Sequence, residues 1–176
     1  MTTAQPQGKV LPIRIAGDPV LHEPCADVTE FDAELEAFIE TMFASMYAAE
    51  GVGLAANQIG VAKRIFVYDC PDATEQNQIG HVINPVLREL PATERILDDN
   101  AEACLSVPGQ HAFVARPDTA TVDGVDKNGN PISVTGTGLL ARCLQHETDH
   151  LNGYLYIDRI AKKERQAILK ELGTTY

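Results

Sequence analysis

The clearest repeat of apolar and polar positions in the chain predicts an amphipathic helix in its first third. The apolar positions recur at intervals of three and four residues, which places them on one helical face. They are Leu35, Phe38, Ile39, Met42, Phe43, Met46 and Tyr47. Thr29 is a candidate N-cap, and Gly51 stands where a helix often ends. We therefore expect a helix between these two residues, with its apolar stripe in the core.

A second helical pattern lies between Leu139 and Gly153, and a third lies near the C-terminus. In the second, glycines bracket a proline-free stretch whose apolar residues recur at helical spacing. Residues 158–172 mix Ile and Leu with Lys and Arg, as in a short amphipathic helix packed on the rest of the protein.

Runs rich in Ile, Val, Phe and Tyr predict β-strands between these helices. An Asn128-Gly129 pair between two such runs indicates a β-hairpin, and Pro85 indicates an edge or a bulge. The predicted strands are residues 63–69, 80–88, 94–97, 119–125 and 131–135.

Composition and charge narrow the class of protein. A chain of 176 residues with 44% hydrophobic and 22% charged residues is typical of one globular domain, so we expect residues 1–176 to form a single domain. Residues 1–11 carry no apolar run of signal length, and nowhere do 18 apolar residues follow one another, so we expect a cytoplasmic protein without membrane contact. The formal net charge of −11 argues against DNA as a partner.

Four widely spread cysteines, Cys25, Cys70, Cys104 and Cys143, form no C-x-x-C pair. In a cytosolic chain this spacing argues against a disulfide framework. Each thiol is then either a small buried hydrophobe or a metal-binding or catalytic thiolate.

The second helical pattern contains the HExxH motif, from His146 to His150. Residues four apart lie one turn above each other on a helix, so both imidazoles can bind one metal ion with Glu147 beside them. The alternative is that so short a pattern matches by chance. Even a true match, taken alone, indicates only a metal hydrolase. Two histidines also leave a divalent ion short of protein ligands.

The third ligand has two candidates in the sequence. Cys104 is the leading one, because a thiolate bound to a divalent ion is a strong ligand. His111 is its rival.

Two other interpretations of the motif remain open. An HExxH metallopeptidase would take its third ligand downstream, where Glu164 and Glu171 are available. A non-catalytic structural zinc module would add Cys143, which lies on the same helical side as both histidines, to Cys104 and leave no open position. The number of protein ligands separates these interpretations.

A loop of small residues follows the first helix, from Gly51 to Gln58. Glycine and alanine let a backbone approach a ligand closely, although a loop packed under a helix has the same composition. Gln58 favours the first interpretation, because a positioned amide can donate to a developing oxyanion.

Three blocks of the chain resemble the peptide deformylases, which remove the formyl group from the N-terminal formyl-methionine of nascent proteins. They are residues 51–58 (family pattern GxGLAAxQ), 102–106 (EGCLS) and 145–153 (QHExDHLxG). The similarity covers nearly the whole chain to about Asp158. It implies an α+β fold with small antiparallel sheets wrapped around a central metal-binding HExxH helix, flanked by an N-terminal and a C-terminal helix.

The resemblance also implies a role for each residue of the site. Cys104, His146 and His150 would hold the metal, and Glu147 would be the acid and base. The Gln58 side chain and the Leu105 backbone N–H would form the oxyanion site. The cleft for the methionine side chain and the substrate backbone would be lined by Gly51, Val52, Gly53 and Cys143.

One divalent ion is implied, natively Fe(II), with zinc, nickel or cobalt as substitutes. The substrates would be N-formyl-methionyl peptides, the product formate, and the enzyme a hydrolase of protein biosynthesis that we expect to be a monomer. Basic residues of the last helix, Lys162, Lys163 and Arg165, form either a solvated face or a transient ribosome contact.

Two positions depart from the family pattern. Ala103 stands where the family has glycine, so a methyl group is added beside the ligand. His111 stands where many members carry arginine, although Arg116 matches another arginine common in the family. Neither departure changes a ligand.

Overall fold

The computed structural model describes residues 7–176 and has an α+β fold, in which helices pack on antiparallel sheets. The helices are α1 (Ala33–Ala48), α2 (Gly138–Leu151) and α3 (Lys162–Leu172). The strands are β1 (Gly53–Ala55), β2 (Ile65–Pro71), β3 (Asn77–Leu87), β4 (Leu97–Cys104), β5 (Val107–Pro117), β6 (Thr119–Val125) and β7 (Pro131–Thr137). Short 3-10 helices are Pro19–Leu21, Ala56–Ile59, Ala92–Glu94 and Tyr156–Arg159.

Five strands form one antiparallel sheet in the order β1-β2-β3-β6-β7, and β4 and β5 form a separate two-stranded ribbon. Strand β2 has its side chains buried on both faces of the larger sheet. Phe66 and Tyr68 pack into a core cluster with Leu140 and Leu144 of α2, whereas Ile65 packs into the cluster of α1. Because successive strand residues point to opposite faces, α1 and α2 cover opposite sides of the sheet.

A third core cluster joins the ribbon to the C-terminal part of the chain. Val107 and Val114 of β5 pack with Leu155 and Tyr156, and with Ile168 of α3. This cluster, which includes Cys104 at the end of β4, holds the ribbon against the elements that follow α2.

Most predicted elements are present, with shifted boundaries. Helix α1 begins after Asp32, whose side chain accepts from Leu35 N at 3.0 Å, so the N-cap is Asp32 and not Thr29. The 119–135 hairpin is present, and the irregular register between Ile83 and Val86 confirms the expected bulge at Pro85.

The prediction of a strand at residues 94–97 was wrong in its position. Ala92–Glu94 is a 3-10 helix, and β4 starts only at Leu97. Strands β1 and β5 were missed. Several side chains of the ribbon are exposed, among them Leu97, Asp99, Ala101 and Phe113. The alternation of apolar and polar residues in its sequence is therefore weak, and the sequence resembles that of a loop.

Within residues 7–176, no helix has both the length and the apolar composition needed to cross a membrane.

We expect Phe66→Ala to lower the free energy of unfolding by about 3–5 kcal/mol, because Phe66 is fully buried between β2 and α2. Urea denaturation would measure this loss. The matched control is Ile79→Ala, whose side chain is 55% exposed and whose effect should stay within about 0.5 kcal/mol. Equal losses in both variants would contradict this packing.

Candidate metal centre

Three potential metal-ligand atoms converge where β4 meets α2. His150 Nε2 lies 3.1 Å from His146 Nε2 and 3.4 Å from Cys104 Sγ. All three side chains are buried. Among residues 7–176, these three side chains form the group of His, Cys, Asp or Glu whose ligand atoms, all within 4.8 Å of one another, are close enough to hold one metal ion.

These separations allow the three atoms to bind one metal ion. Around a tetrahedral zinc with ordinary Zn–N and Zn–S distances, two imidazole nitrogens lie about 3.3 Å apart and a nitrogen and a sulfur about 3.6 Å apart. The observed distances are within a few tenths of an ångström of these values. One thiolate and two imidazoles therefore suit a divalent transition metal, with a further position open for water.

The two histidines come from successive turns of α2, and the thiol comes from the last residue of β4. Residues 105 and 106 then form the turn into β5. Ser106 N lies 3.4 Å from Cys104 Sγ, and Gln58 Nε2 lies 3.6 Å from it, so the sulfur has two N–H donors beside it.

The buried carboxylate of Glu102 holds His146. Glu102 Oε1 lies 2.6 Å from His146 Nδ1, while Arg116 Nε donates to both carboxylate oxygens at 2.9 and 3.1 Å. Arg142 Nη1 donates to Oε2 at 3.3 Å. With its Nδ1 bonded to a carboxylate, the ring presents Nε2 to the ligand cluster.

Burial and these charges shift the pKa values of Glu102, His146 and His150. Burial opposes ionisation of Glu102, yet His146 and Arg116 hold the pKa of Glu102 at about 2. Burial would lower the pKa of His146, but Cys104 and Glu102 raise it well above its usual value. Burial and the neighbouring His146 lower the pKa of His150.

A second carboxylate continues this network. Asp149 Oδ2 accepts from Arg116 Nη1 at 3.0 Å and from Arg159 Nε at 2.6 Å. Arg116 therefore joins two buried acidic side chains, and the network links β4, β5, α2 and the segment that follows α2.

Glu147 lies beside the cluster and not within it. Burial raises the pKa of its carboxyl to about 7, and its Oε2 has no hydrogen-bond partner among the described residues. A Cβ added at Gly53 would lie 2.7 Å from Glu147 Oε1 and from Cys143 Sγ. The carboxylate therefore rests against a backbone that only glycine permits, and it can accept and return a proton near neutral pH.

The amide of Gln58 is fixed toward the cluster. Its Oε1 accepts from Ala55 N at 2.9 Å, which turns Nε2 toward Ser106 Oγ at 3.1 Å and toward Cys104. Leu105, in the turn between β4 and β5, lines the same cleft as Gln58.

A cleft of about 450 Å³ opens over the cluster. Its wall includes most of the residues expected from the sequence, whereas His150 is completely buried behind them. The expected residues that line it are Gly51, Val52, Gly53, Gln58, Cys104, Leu105, Cys143, His146 and Glu147. A volume of this size suits a small ligand or one side chain with its backbone.

Neither alternative ligand set is assembled in the described part of the chain. Cys143 Sγ lies 3.9 Å from the Val52 carbonyl oxygen and outside the ligand cluster, and Glu164 and Glu171 are also outside it. His111 is exposed on β5 and does not line the cleft. Ala103 does line the cleft, at a register shift between Glu102 and Cys104.

Sequence reasoning assigned no role to Glu102, Arg142 or Asp149. Glu102 and Cys104 share the inward face of β4 because they are two residues apart. That spacing was the available signal, but it required knowing that residues 97–104 form a strand.

A family model described as polypeptide deformylase matches residues 10–166 of the chain. Peptide deformylase 1 of Streptomyces avermitilis is 58% identical over 167 residues, which cover 95% of this chain and 77% of the relative. Peptide deformylase 2 of Streptomyces coelicolor is 50% identical over 166 residues, which cover 94% of this chain and 91% of the relative.

Solved structures with the same fold include a peptide deformylase from Synechococcus elongatus in complex with actinonin. It has a TM-score of 0.83 and 38% identity, covering 98% of this chain and 91% of that one. The enzyme from Ehrlichia chaffeensis in complex with actinonin has a TM-score of 0.86 and 34% identity, covering 93% of this chain and 96% of that one.

We expect Glu102→Gln to weaken zinc binding about 10- to 100-fold, because His146 loses its charged partner and two arginines lose theirs. Competition with a chromophoric chelator would measure the affinity. Glu89→Gln is the control, since Glu89 pairs with Arg95 at the exposed surface and should leave the affinity unchanged. Wild-type affinity in Glu102→Gln would show that His146 needs no such support.

Proposed function

The chain belongs to the polypeptide deformylase family, and we propose that it removes the formyl group from the N-terminal formyl-methionine of nascent polypeptides. The reaction is hydrolysis of a linear amide and releases formate. The observation that supports it most is a three-donor cluster beside a buried carboxylate, under a cleft that can admit a peptide end.

In this proposal Cys104, His146 and His150 hold one divalent ion, which is natively Fe(II), with zinc, nickel and cobalt as substitutes. Imidazole and thiolate donors suit all four metals. When bound, the ion supplies a Lewis acid that acidifies water and polarises the formyl carbonyl.

Glu147 moves the proton. Its carboxylate takes a proton from the attacking water and later gives it to the departing amine, so that the peptide leaves with a neutral N-terminus. The burial of Glu147 and its position beside the ligand cluster support this role. Glu147 also lines the cleft, beside Gly53.

Gln58 Nε2 and the Leu105 backbone N–H stabilise the oxyanion that forms on the formyl oxygen. Donors fixed in advance are effective because they need no reorganisation when the charge develops. The bond from Ala55 N to Gln58 Oε1 provides this fixation for the amide.

The substrate backbone lies between two strand edges. β1 is an edge strand of the five-stranded sheet, and β4 pairs on one side only, with β5. Gly51 and Val52, which directly precede β1, and Ala103 of β4 all line the cleft, so an extended peptide can form backbone hydrogen bonds with both segments. The methionine side chain then enters the interior beside Gly53 and Cys143.

The remaining assignments also stay predictions. We treat residues 1–176 as one catalytic domain of a cytoplasmic monomer. A transient ribosome contact would use Lys162 and Lys163, which are exposed on α3, more than Arg165, which is bonded to Asp158 at 3.0 Å.

The decisive test measures formate release from formyl-Met-Ala-Ser under anaerobic conditions with iron restored. We expect turnover by the wild type and none by Glu147→Ala, because that variant keeps all three ligands but lacks the proton carrier. Metal content should be one ion per chain in both proteins. Wild-type turnover in Glu147→Ala would refute its role, and no formate from the iron-loaded wild type would refute the proposed function.

We also expect the iron-loaded enzyme to lose activity in air, because a thiolate on ferrous iron is open to oxidation. Mass spectrometry should find the added oxygen on the peptide that contains Cys104 and not on that with Cys25, whose pKa burial raises to about 11. The zinc-loaded protein is the control and should keep its thiol. Equal inactivation of both forms would contradict this cause.

A further inference from the structure

The last turn of α2, which carries His150, is held by a side chain from a distant segment. Asn57 Nδ2 donates to the His150 carbonyl oxygen at 2.6 Å, and both residues are completely buried. We infer that Asn57 is a positioning residue, which fixes the His150 ligand and the Gln58 amide relative to each other. This inference rests on the proposed deformylase reaction.

The carbonyl that Asn57 contacts belongs to the end of a helix. The last four carbonyl groups of a helix have no partner within it and need donors from elsewhere. In α2, the Leu151 carbonyl accepts from Cys25 N at 2.9 Å and from Arg64 Nη1 at 3.0 Å. The His150 carbonyl accepts from Gly153 N and from Asn57, so Asn57 is the side chain bonded to the backbone of the ligand residue.

The two histidine ligands are supported in different ways. The ring of His146 is oriented through Nδ1, which is bonded to Glu102. No group of residues 7–176 is hydrogen-bonded to Nδ1 of His150, so this ring lacks the kind of hydrogen bond by which Glu102 orients His146. The position of His150 Nε2 therefore depends on where the backbone of residue 150 is held, and Asn57 holds it.

The neighbour of Asn57 in the sequence is Gln58, and both lie in the 3-10 helix Ala56–Ile59. Gln58 faces Cys104 and Ser106, while Asn57 faces α2 and also lies 3.4 Å from the Val20 carbonyl oxygen. One rigid turn thus contacts a metal ligand on one side and presents the oxyanion donor on the other.

The test compares Asn57→Leu, which keeps the branching at Cγ but removes the donor, with Arg64→Met. Arg64 donates to the same helix end at Leu151 and to the Pro85 carbonyl oxygen, but it contacts neither His150 nor Gln58. Both variants should lose thermal stability. Only Asn57→Leu should lower kcat about 10- to 100-fold with KM nearly unchanged, and weaken cobalt binding by a similar factor.

The visible absorption spectrum of the cobalt-loaded protein reports the geometry of the ligands and does not depend on the stability of the fold. We expect altered band positions in Asn57→Leu and wild-type bands in Arg64→Met. If Asn57→Leu does not fold, Asn57→Ala replaces it. Wild-type kcat and spectrum in a folded Asn57 variant, or an equal loss of kcat in Arg64→Met, would overturn the inference. If the wild type itself releases no formate, the proposed function fails, while cobalt affinity and spectrum still decide the role of Asn57.

Discussion

The buried carboxylate of Glu102 is the point on which the geometry of the site depends. Burying a charge is costly unless it is paired and fully hydrogen-bonded, and Glu102 meets both conditions through Arg116, Arg142 and His146. Its partners come from β5 and from α2. One carboxylate thus sets the distance between the ribbon, which carries Cys104 two residues later, and the helix that carries both imidazoles.

The larger sheet and its two helices provide the frame for this contact. Because β2 is covered on both faces, α2 cannot shift along the sheet without disturbing the packing of Phe66 and Tyr68. The glycine at position 53 then lets the sheet edge approach Glu147 closely. Packing fixes the helix against the sheet, and charge pairing fixes the ribbon against the helix.

The sequence was sufficient to predict the motif helix and its two histidines, since four-residue spacing is a local property. The sequence also favoured Cys104 over His111 as the third ligand. In the structure Cys104 lies in the ligand cluster and His111 lies outside it. The supporting contacts could not be predicted. His146 and Glu102 are 44 residues apart, and Asn57 and His150 are 93 residues apart, so each pair is joined only by the tertiary fold.

The ribbon was the largest omission for a related reason. The inward positions of β4 and β5 include Glu102 and Arg116, which a pattern based on hydrophobicity assigns to the surface. They are buried because they pair with each other across the ribbon and with α2. A strand whose buried polar residues pair with one another is therefore not detected by a method that counts apolar positions.

The pairing of Glu102 and Asp149 with Arg116, Arg142 and Arg159 has a consequence for the order of assembly. These acidic groups are neutralised by the protein's own cations, so the framework around the ligands needs no ion to offset its charge. The chain can therefore complete its fold first and acquire the metal afterwards, unlike small zinc modules that fold only when loaded. A site preformed in this way can accept any divalent ion that suits one thiolate and two imidazoles, without a folding step that selects among them.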